Sequence, residues 1–434
     1  MSPGFVGGRI PNRFTRVVIN VTGRIWYVHP YAGGPGVGRY DRPFHLSRHW
    51  QEAGVSSLVI CPSFHHLMDS EQKPGVREIE GVRYAFLKCP RYVGNGAGRI
   101  VNMAVFSTKL LFSAARLKRL YGRPGAIICS SPHPYPFIAV LLLAWMMRAS
   151  CLFEVRDLWP LSVIELAGVP PWHPMVIITS WIEHLAYRRA NAVVSLLPCT
   201  EKHMSERGLQ PGRWWYIPNG ISEWQPSSGT ETSECELFIR ELRRGGKKVV
   251  IYAGAMGRPN HLQSLIDAMA VLKAMGSTDV VAVLVGRGEL KASLEARVAD
   301  LGLRDSIYFF DQVPKSAVRA LCENADMGYI SLRPEPLFRY GVSPNKLFDY
   351  MLASLPVIFA VKAGNDLVAE SKCGLSCDPS NPADVADAIA RLAALSSEEL
   401  SILGRNGRDF VIRNHTYRAL APRYLFVLAS CGAQ

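Results

Sequence analysis

The sequence predicts an α/β protein made of two doubly wound, Rossmann-like units. Three observations carry this. A buried strand at residues 16–27 leads into a Gly-rich loop, a helical stretch and a second strand, which is how such a unit starts. The same alternation restarts at KKVVIYAGAMG, residues 247–257. Between the two lies the polar run SEWQPSSGTETSECELFIRELRRGG, residues 222–246, which reads as a linker plus one helix. The expected division is 14–222 for the first unit, 223–245 for the linker, 246–412 for the second unit and 413–434 for a C-terminal helical segment that packs back across both.

Taken in order, residues 1–13 form a loose leader without the pattern of a signal peptide. RVVINVTGRIWY gives the first strand, interrupted by Gly23 and Arg24. The loop HPYAGGPGVGRYDRP carries Gly33, Gly34, Gly36 and Gly38. It lacks the G-x-G-x-x-G order, so either its backbone approaches a ligand closely or it is merely flexible. Arg39, Arg42 and His45 stand beside it and suit an anionic group. FHLSRHWQEAG is a helix and SSLVICPS a strand.

IVNMAVFSTKLLFSAARLKRLYG spaces apolar and basic residues helically, with Lys109, Arg116, Lys118 and Arg119 on one side. Such a segment lies on an anionic bilayer or serves as a core helix with a wet basic face. The apolar run Phe137–Met147 falls short of the roughly 20 residues a membrane span needs, and reads as a buried helix. AIICSS and SCLFEVRDLW are strands, and ligands in open α/β sheets gather at their carboxyl ends. His133, Glu154, Arg156 and Asp157 fall there, with His29 at the end of the first strand. Arg156 and Asp157 also read as a structural ion pair. NAVVSLLP and WWYIPNGI complete this half.

In the second half, Gly254 and Gly257 form a turn before the helix HLQSLIDAMAVLKAMG, and Gly286, Arg287 and Gly288 form another before the next helix. SIYFFDQV is a strand ending at Val313, and SAVRALCENA a helix. The stretch DMGYISL, RPEPLFRYGV, SPNKLFDYMLAS, LPVIFAV is strand, loop, helix, strand. Ser343 is a good N-cap and Pro344 suits the first helical position, so the helix start makes an anion site. Asn345 and Asp349 share a face, Lys346 lies three residues before Asp349, and Leu347, Met351 and Leu352 turn into the core. Gly254, Gly257, Arg258, Arg287 and Lys346 together suggest a diphosphate pocket.

A net charge of +13 over 434 residues points to a negatively charged partner. No stacking module accompanies it, which excludes nucleic acid as the expected partner. The ten cysteines lack CxxC or metal spacing, so free thiols in a reducing cytosol are expected.

IPNGI, YAGAMGR, LVGRGEL and SPNKLFDYMLASLPVI together resemble glycosyltransferase family 4 of the GT-B fold. HPYAGGPGVGRYDRPFHLSRHW, EVRDLWPLSVIELAGV and AYRRANAVVSLL resemble its bacterial members that build lipopolysaccharide and capsule repeat units. The resemblance spans roughly residues 16–425. It implies two Rossmann-like domains facing across a cleft and metal-independent sugar transfer with retention, no cofactor being needed. The donor would be a nucleotide-sugar, a UDP-sugar first among them, held by Gly254, Gly257, Arg258, Arg287, Val313, Ser343, Asn345, Lys346 and Asp349. The acceptor would be a polyprenyl-diphosphate-linked saccharide on the cytoplasmic face of an anionic membrane. Gly33, Gly34, Gly36, Arg39 and Arg42 would meet it, and His133, Asp157 and His29 are the catalytic candidates. Asp349 falls on the second acidic position of the family's E-x7-E pattern, which holds the ribose. The first is Gly341, and the positions that usually grip the diphosphate are Ala255 and Asn260. A non-hydrolysing sugar-nucleotide epimerase and a silent nucleotide-sugar-binding protein are the alternatives.

Overall fold

The computed structural model describes residues 23–94, 96–223 and 233–432. The expected leader and most of the expected first strand lie outside them. Among the described residues the first half holds eight strands: β1 (Arg24–Val28), β2 (Ser57–Pro62), β3 (Gly75–Ile79), β4 (Val82–Leu87), β5 (Pro124–Ser131), β6 (Ser150–Val155), β7 (Ala192–Ser195) and β8 (Trp214–Tyr216). They form one sheet in the order β3-β4-β2-β1-β5-β6-β7-β8. All pairs are parallel except β3 with β4. That hairpin was not anticipated; Glu80 and Gly81 both take left-handed φ (44° and 84°), which fits a tight two-residue turn.

The second half holds β9 (Lys248–Ala253), β10 (Val280–Val285), β11 (Ile307–Phe310), β12 (Met327–Ser331), β13 (Val357–Ala360) and β14 (Gly374–Ser376). Their order is β11-β10-β9-β12-β13-β14, with parallel pairing throughout. Such strands are covered on both faces, so they read as unbroken apolar runs. In β9, Val249 and Ile251 enter one core with the helix Asn345–Leu352, while Val250 and Tyr252 enter another with the helix Gln263–Ala274.

In each sheet the chain order reverses beside the first strand, between β1 and β5 and between β9 and β12. Crevices for ligands form at such switch points, outside the carboxyl ends of the strands. The halves are stitched by a second crossing of the chain. Ile221 bridges Thr416, and the helix Tyr417–Ser430 then packs its Tyr424, Leu425 and Leu428 onto the first sheet with Leu46 and Trp50. The expected return of the C-terminal helix across the molecule is what the fold shows.

Candidate functional site

The crevice of the first sheet collects residues following β1, β5 and β6. His29 is fully buried, accepts the Tyr31 backbone N–H on Nδ1 at 3.0 Å and stacks on Tyr40 at 4.8 Å. Its Nε2 is buried without a partner. Burial, then the Arg156 charge, hold it well below the usual histidine range. His133 is also buried, packs edge-on to Tyr31 and has no partner on either ring nitrogen. Burial, with Arg99 nearby, lowers its pKa to about 3. Buried nitrogens left open in this way suit a ligand's hydroxyls. A ring this hard to protonate is a hydrogen-bonding group rather than a proton reservoir at neutral pH.

Arg156 sits over the Tyr40 ring at 3.8 Å, with Nη1 buried and unpartnered. Asp157 follows β6 and is exposed at the surface. The crowding walls raise its pKa and Arg156 draws it back.

Several expected site residues belong to the scaffold instead. Arg42 is 1% exposed and is spent inside the fold. Its guanidinium donates to Glu154 at 3.1 Å, to the carbonyls of Pro218 and Ile217, and to the Tyr424 hydroxyl. Glu154, which the sequence placed on the catalytic shortlist, also accepts from Tyr27, Ser130 and Tyr424. Both groups therefore tie the C-terminal helix to the first sheet. Gly33 and Gly34 are buried, and the loop closes on itself through Gly33 N–H to Tyr40 O and Gly34 N–H to Gly38 O. A Cβ on Gly33 would overlap the Gly38 carbonyl, so its small size serves the loop's own packing. Gly36 and Arg39 remain exposed. His45 is held by Ser222 at 2.7 Å and stacks on Tyr417.

At the second sheet's crevice, Gly254, Gly257 and Arg258 follow β9, Arg287 follows β10, Val313 follows β11, and Ser343 to Asp349 follow β12. The structure thus brings all nine expected donor residues to one edge. The helix starts at Asn345 rather than Pro344, because Pro344 takes ψ 121° and stays extended. Ser343 is therefore not the N-cap. Its Oγ is buried without a partner, and its carbonyl accepts from Asn219 of the first half at 3.3 Å.

Lys346 is the best-defined group. Its ammonium donates to Asn260 Oδ1 at 2.6 Å and lies 5.0 Å from the Tyr252 ring centroid. Asn260 is oriented in turn by donating to the Ala255 carbonyl at 2.9 Å. The stem of Lys346 fills the space over Gly254, where any Cβ would overlap Lys346 Cε. Burial lowers this lysine to about 8. Arg258 and Arg287 are exposed, Arg258 standing 3.9 Å from Glu289.

Asp349, Asn345 and Phe348 face a cavity of about 80 Å³ shared with Arg39, Tyr40, Asp41, Asn219 and Tyr417. The two crevices therefore open toward each other. Sequence reasoning missed Tyr31 and Tyr40, and it placed Asn260 at a diphosphate-gripping position without seeing that it would accept from Lys346.

Gly341 has φ 102°, and a Cβ there would stand 2.6 Å from Pro198 Cδ. Around it Arg339 grips Glu165 of the first half with two hydrogen bonds, at 2.9 and 2.7 Å. The position is thus an inter-domain contact with no room for a side chain. Gly341→Glu is expected to lower stability by about 1–3 kcal/mol through strain and overpacking. It should yield no gain in turnover, checked by urea unfolding beside a transfer assay.

Residues 36–220 match the family described as Glycosyl transferase 4-like domain, and residues 247–394 match Glycosyl transferases group 1. The chain is 25% identical over 244 residues to a 2-deoxystreptamine glucosyltransferase of Streptomyces kanamyceticus, covering 55% of this chain and 59% of that protein. It spans about half the length of the curated relatives it matches, 44%, 59% and 58% of three of them. A crystal structure of Anabaena Alr3699/HepE in complex with UDP and glucose superposes with TM-score 0.63 at 14% identity, covering 94% of this chain and 100% of that one. WaaG, a glycosyltransferase involved in lipopolysaccharide biosynthesis, superposes with TM-score 0.61 at 13% identity, covering 93% and 99%. With both halves matched in order and folded as two facing Rossmann-like units, the protein belongs to the GT-B glycosyltransferases of the family 4 type.

Proposed function

We propose that this protein transfers a sugar, with retention of anomeric configuration and without a metal, from a UDP-sugar to a saccharide carried on a polyprenyl diphosphate. The setting would be bacterial surface polysaccharide assembly at the cytoplasmic face of an anionic membrane. Residues 246–412 would hold the donor and 14–222 the acceptor. The observation that carries the reading is Lys346, packed over Gly254 and steadied by Asn260, on the same short helix as Asp349, which lines a cavity shared by both halves. The UDP and glucose held by the superposed HepE support the donor class, and WaaG supports the polysaccharide setting.

The chemistry follows from these groups. Leaving of the nucleoside diphosphate puts charge on its β-phosphate, and a preorganised ammonium at a helix start stabilises that charge where it develops. Where the family pattern has a gripping residue at 260, this chain has Asn260. The cation would come instead from Lys346, from whose ammonium Asn260 accepts a hydrogen bond at 2.6 Å. Asp349 would accept the ribose hydroxyls. His133 and His29, neutral and with open nitrogens, would bond sugar hydroxyls, and Asp157 would be the carboxylate that serves the reacting centre.

Incubation with UDP-sugars and a polyprenyl-diphosphate-linked saccharide, with linkage analysis of the product, tests the reading. It predicts a retained linkage and release of UDP only when both substrates are present. An epimerised sugar appearing from donor alone would assign the chain to the epimerase chemistry instead. Donor binding without turnover on any lipid acceptor would assign it to the silent class, which the glycine at 341 favours.

A further inference from the structure

The helix Phe137–Met147 was expected to be buried, yet only one side of it is. Phe137, Val140, Ala144 and Met147 enter the core, while Ile138, Leu142, Trp145 and Met146 point out. This helix packs between the helices Ala97–Tyr121 and Pro174–Arg189 on one face of the first sheet. Its neighbours continue the apolar surface: Phe112 is 83% exposed, Trp181 58%, and Trp172, just before the third helix, 76%. Trp145 itself is 77% exposed. Monomeric proteins rarely expose large apolar side chains in such a contiguous group.

The charge on these helices is one-sided. Their described residues contain one acid, Glu183, which is buried and bonded to Arg207 at 2.7 Å. Most of the bases gather toward their C-terminal ends: Arg116, Lys118 and Arg119 on the first, which also carries Arg99 near its start and Lys109 midway, Arg148 just past the second, Arg188 and Arg189 on the third. Each helix returns from the carboxyl edge of the sheet to its amino edge, so the C-terminal bases line the rim farthest from the cleft and the apolar strip leads up to the cleft. The helix Ala97–Tyr121 is long and apolar enough to cross a membrane. It instead lays Phe106, Leu110, Ala114 and Leu117 against the sheet.

We propose that the tryptophan face of these three helices, centred on Trp145, Trp172 and Trp181, seats the protein in the headgroup layer of an anionic bilayer with the basic rim on the lipid charges. Tryptophans at the interfacial level and bases over anionic headgroups are the two forces that hold a monotopic surface. The face rests on the membrane part of the function proposed above and adds which side chains enter the lipid. It holds the cleft mouth near the surface, where an acceptor with a lipid tail must present its sugar.

Co-sedimentation with vesicles of phosphatidylglycerol plus phosphatidylcholine, and of phosphatidylcholine alone, tests this on the full chain. Wild type is expected to bind the anionic vesicles and release with salt. A Trp145→Ser, Trp172→Ser, Trp181→Ser variant is expected to bind at least about tenfold more weakly, since interfacial binding scales with buried apolar area. Arg116→Glu, Lys118→Glu, Arg119→Glu should lose the preference for anionic vesicles. The altered side chains are exposed, so melting temperature and the nucleotide-induced shift should stay at wild-type values. Equal sedimentation of the tryptophan variant, or none by wild type, would overturn the proposal. So would a concentration-dependent dimer that the tryptophan variant abolishes, because a second copy would then be the occupant. Vesicle binding without any nucleotide shift would leave this surface standing and count against the donor site alone.

Discussion

Replacing Lys346 by Met is expected to lower kcat by about 10²–10³-fold, the usual loss when one preorganised group facing developing charge is removed. Met keeps the stem that fills the space above Gly254, so the fold should be retained and the loss confined to the chemical step and to diphosphate binding. Asn260→Ala should reproduce part of the effect, since the ammonium then loses its 2.6 Å acceptor. The pH dependence has a definite sign. Burial lowers Lys346 to about 8, below the usual value of about 10.4. In the unliganded protein the buried ammonium therefore costs stability below about pH 8, and that cost fades as pH rises toward the usual value. Nucleotide binding runs the other way. A diphosphate favours the charged lysine, so affinity should be full below about pH 8 and fall above it. Titration calorimetry of wild type and Lys346→Met across this range would show the slope in the first and not in the second.

Arg42→Ala should produce the largest loss of stability, about 3–5 kcal/mol, because it leaves the buried Glu154 carboxylate without its charge partner. Removing the arginine also frees the Ile217 and Pro218 carbonyls beside the chain's crossing point. Tyr424→Phe, which deletes one hydroxyl from the same network, should cost less, about 1 kcal/mol. Denaturant unfolding of both variants would rank them. A melting temperature for Arg42→Ala equal to wild type would return this residue to the list of ligand-binding candidates.

Arg42 also shows what can be read from a sequence. Apart from β3, β4 and β14, the strands were legible because parallel strands covered on both faces must be continuous apolar runs, and the Gly-rich turns because close backbone approach demands glycine. Gly254 and Gly286 are such cases: a Cβ on Gly286 would overlap the Gly254 carbonyl. The expected donor residues Gly254, Gly257, Arg258, Arg287 and Val313 lie within a few residues of strand ends, while Ser343 to Asp349 follow β12 only after a longer loop. Whether a charged side chain faces the cleft or the core was not. Arg39 and Arg42 are three residues apart in the chain, yet one lines the inter-domain cavity and the other is buried against a helix some 380 residues later. Nothing local distinguishes them. Lys346 and Asn260 likewise meet only because β9 and β12 are neighbours, and Trp145 faces outward only because a nearly all-apolar helix was packed on one side.

The most direct measurement is the thermal shift of wild type and Asp349→Ala with UDP, GDP, ADP and dTDP. A donor site built on Asp349 and Lys346 predicts that UDP raises the melting temperature of wild type. The shift should be lost, or reduced at least about tenfold in apparent affinity, in Asp349→Ala, with the unliganded melting temperature nearly unchanged. Stabilisation by UDP that is equal in wild type and Asp349→Ala, or absent from both with every nucleotide, would contradict the placement of the donor in this cleft.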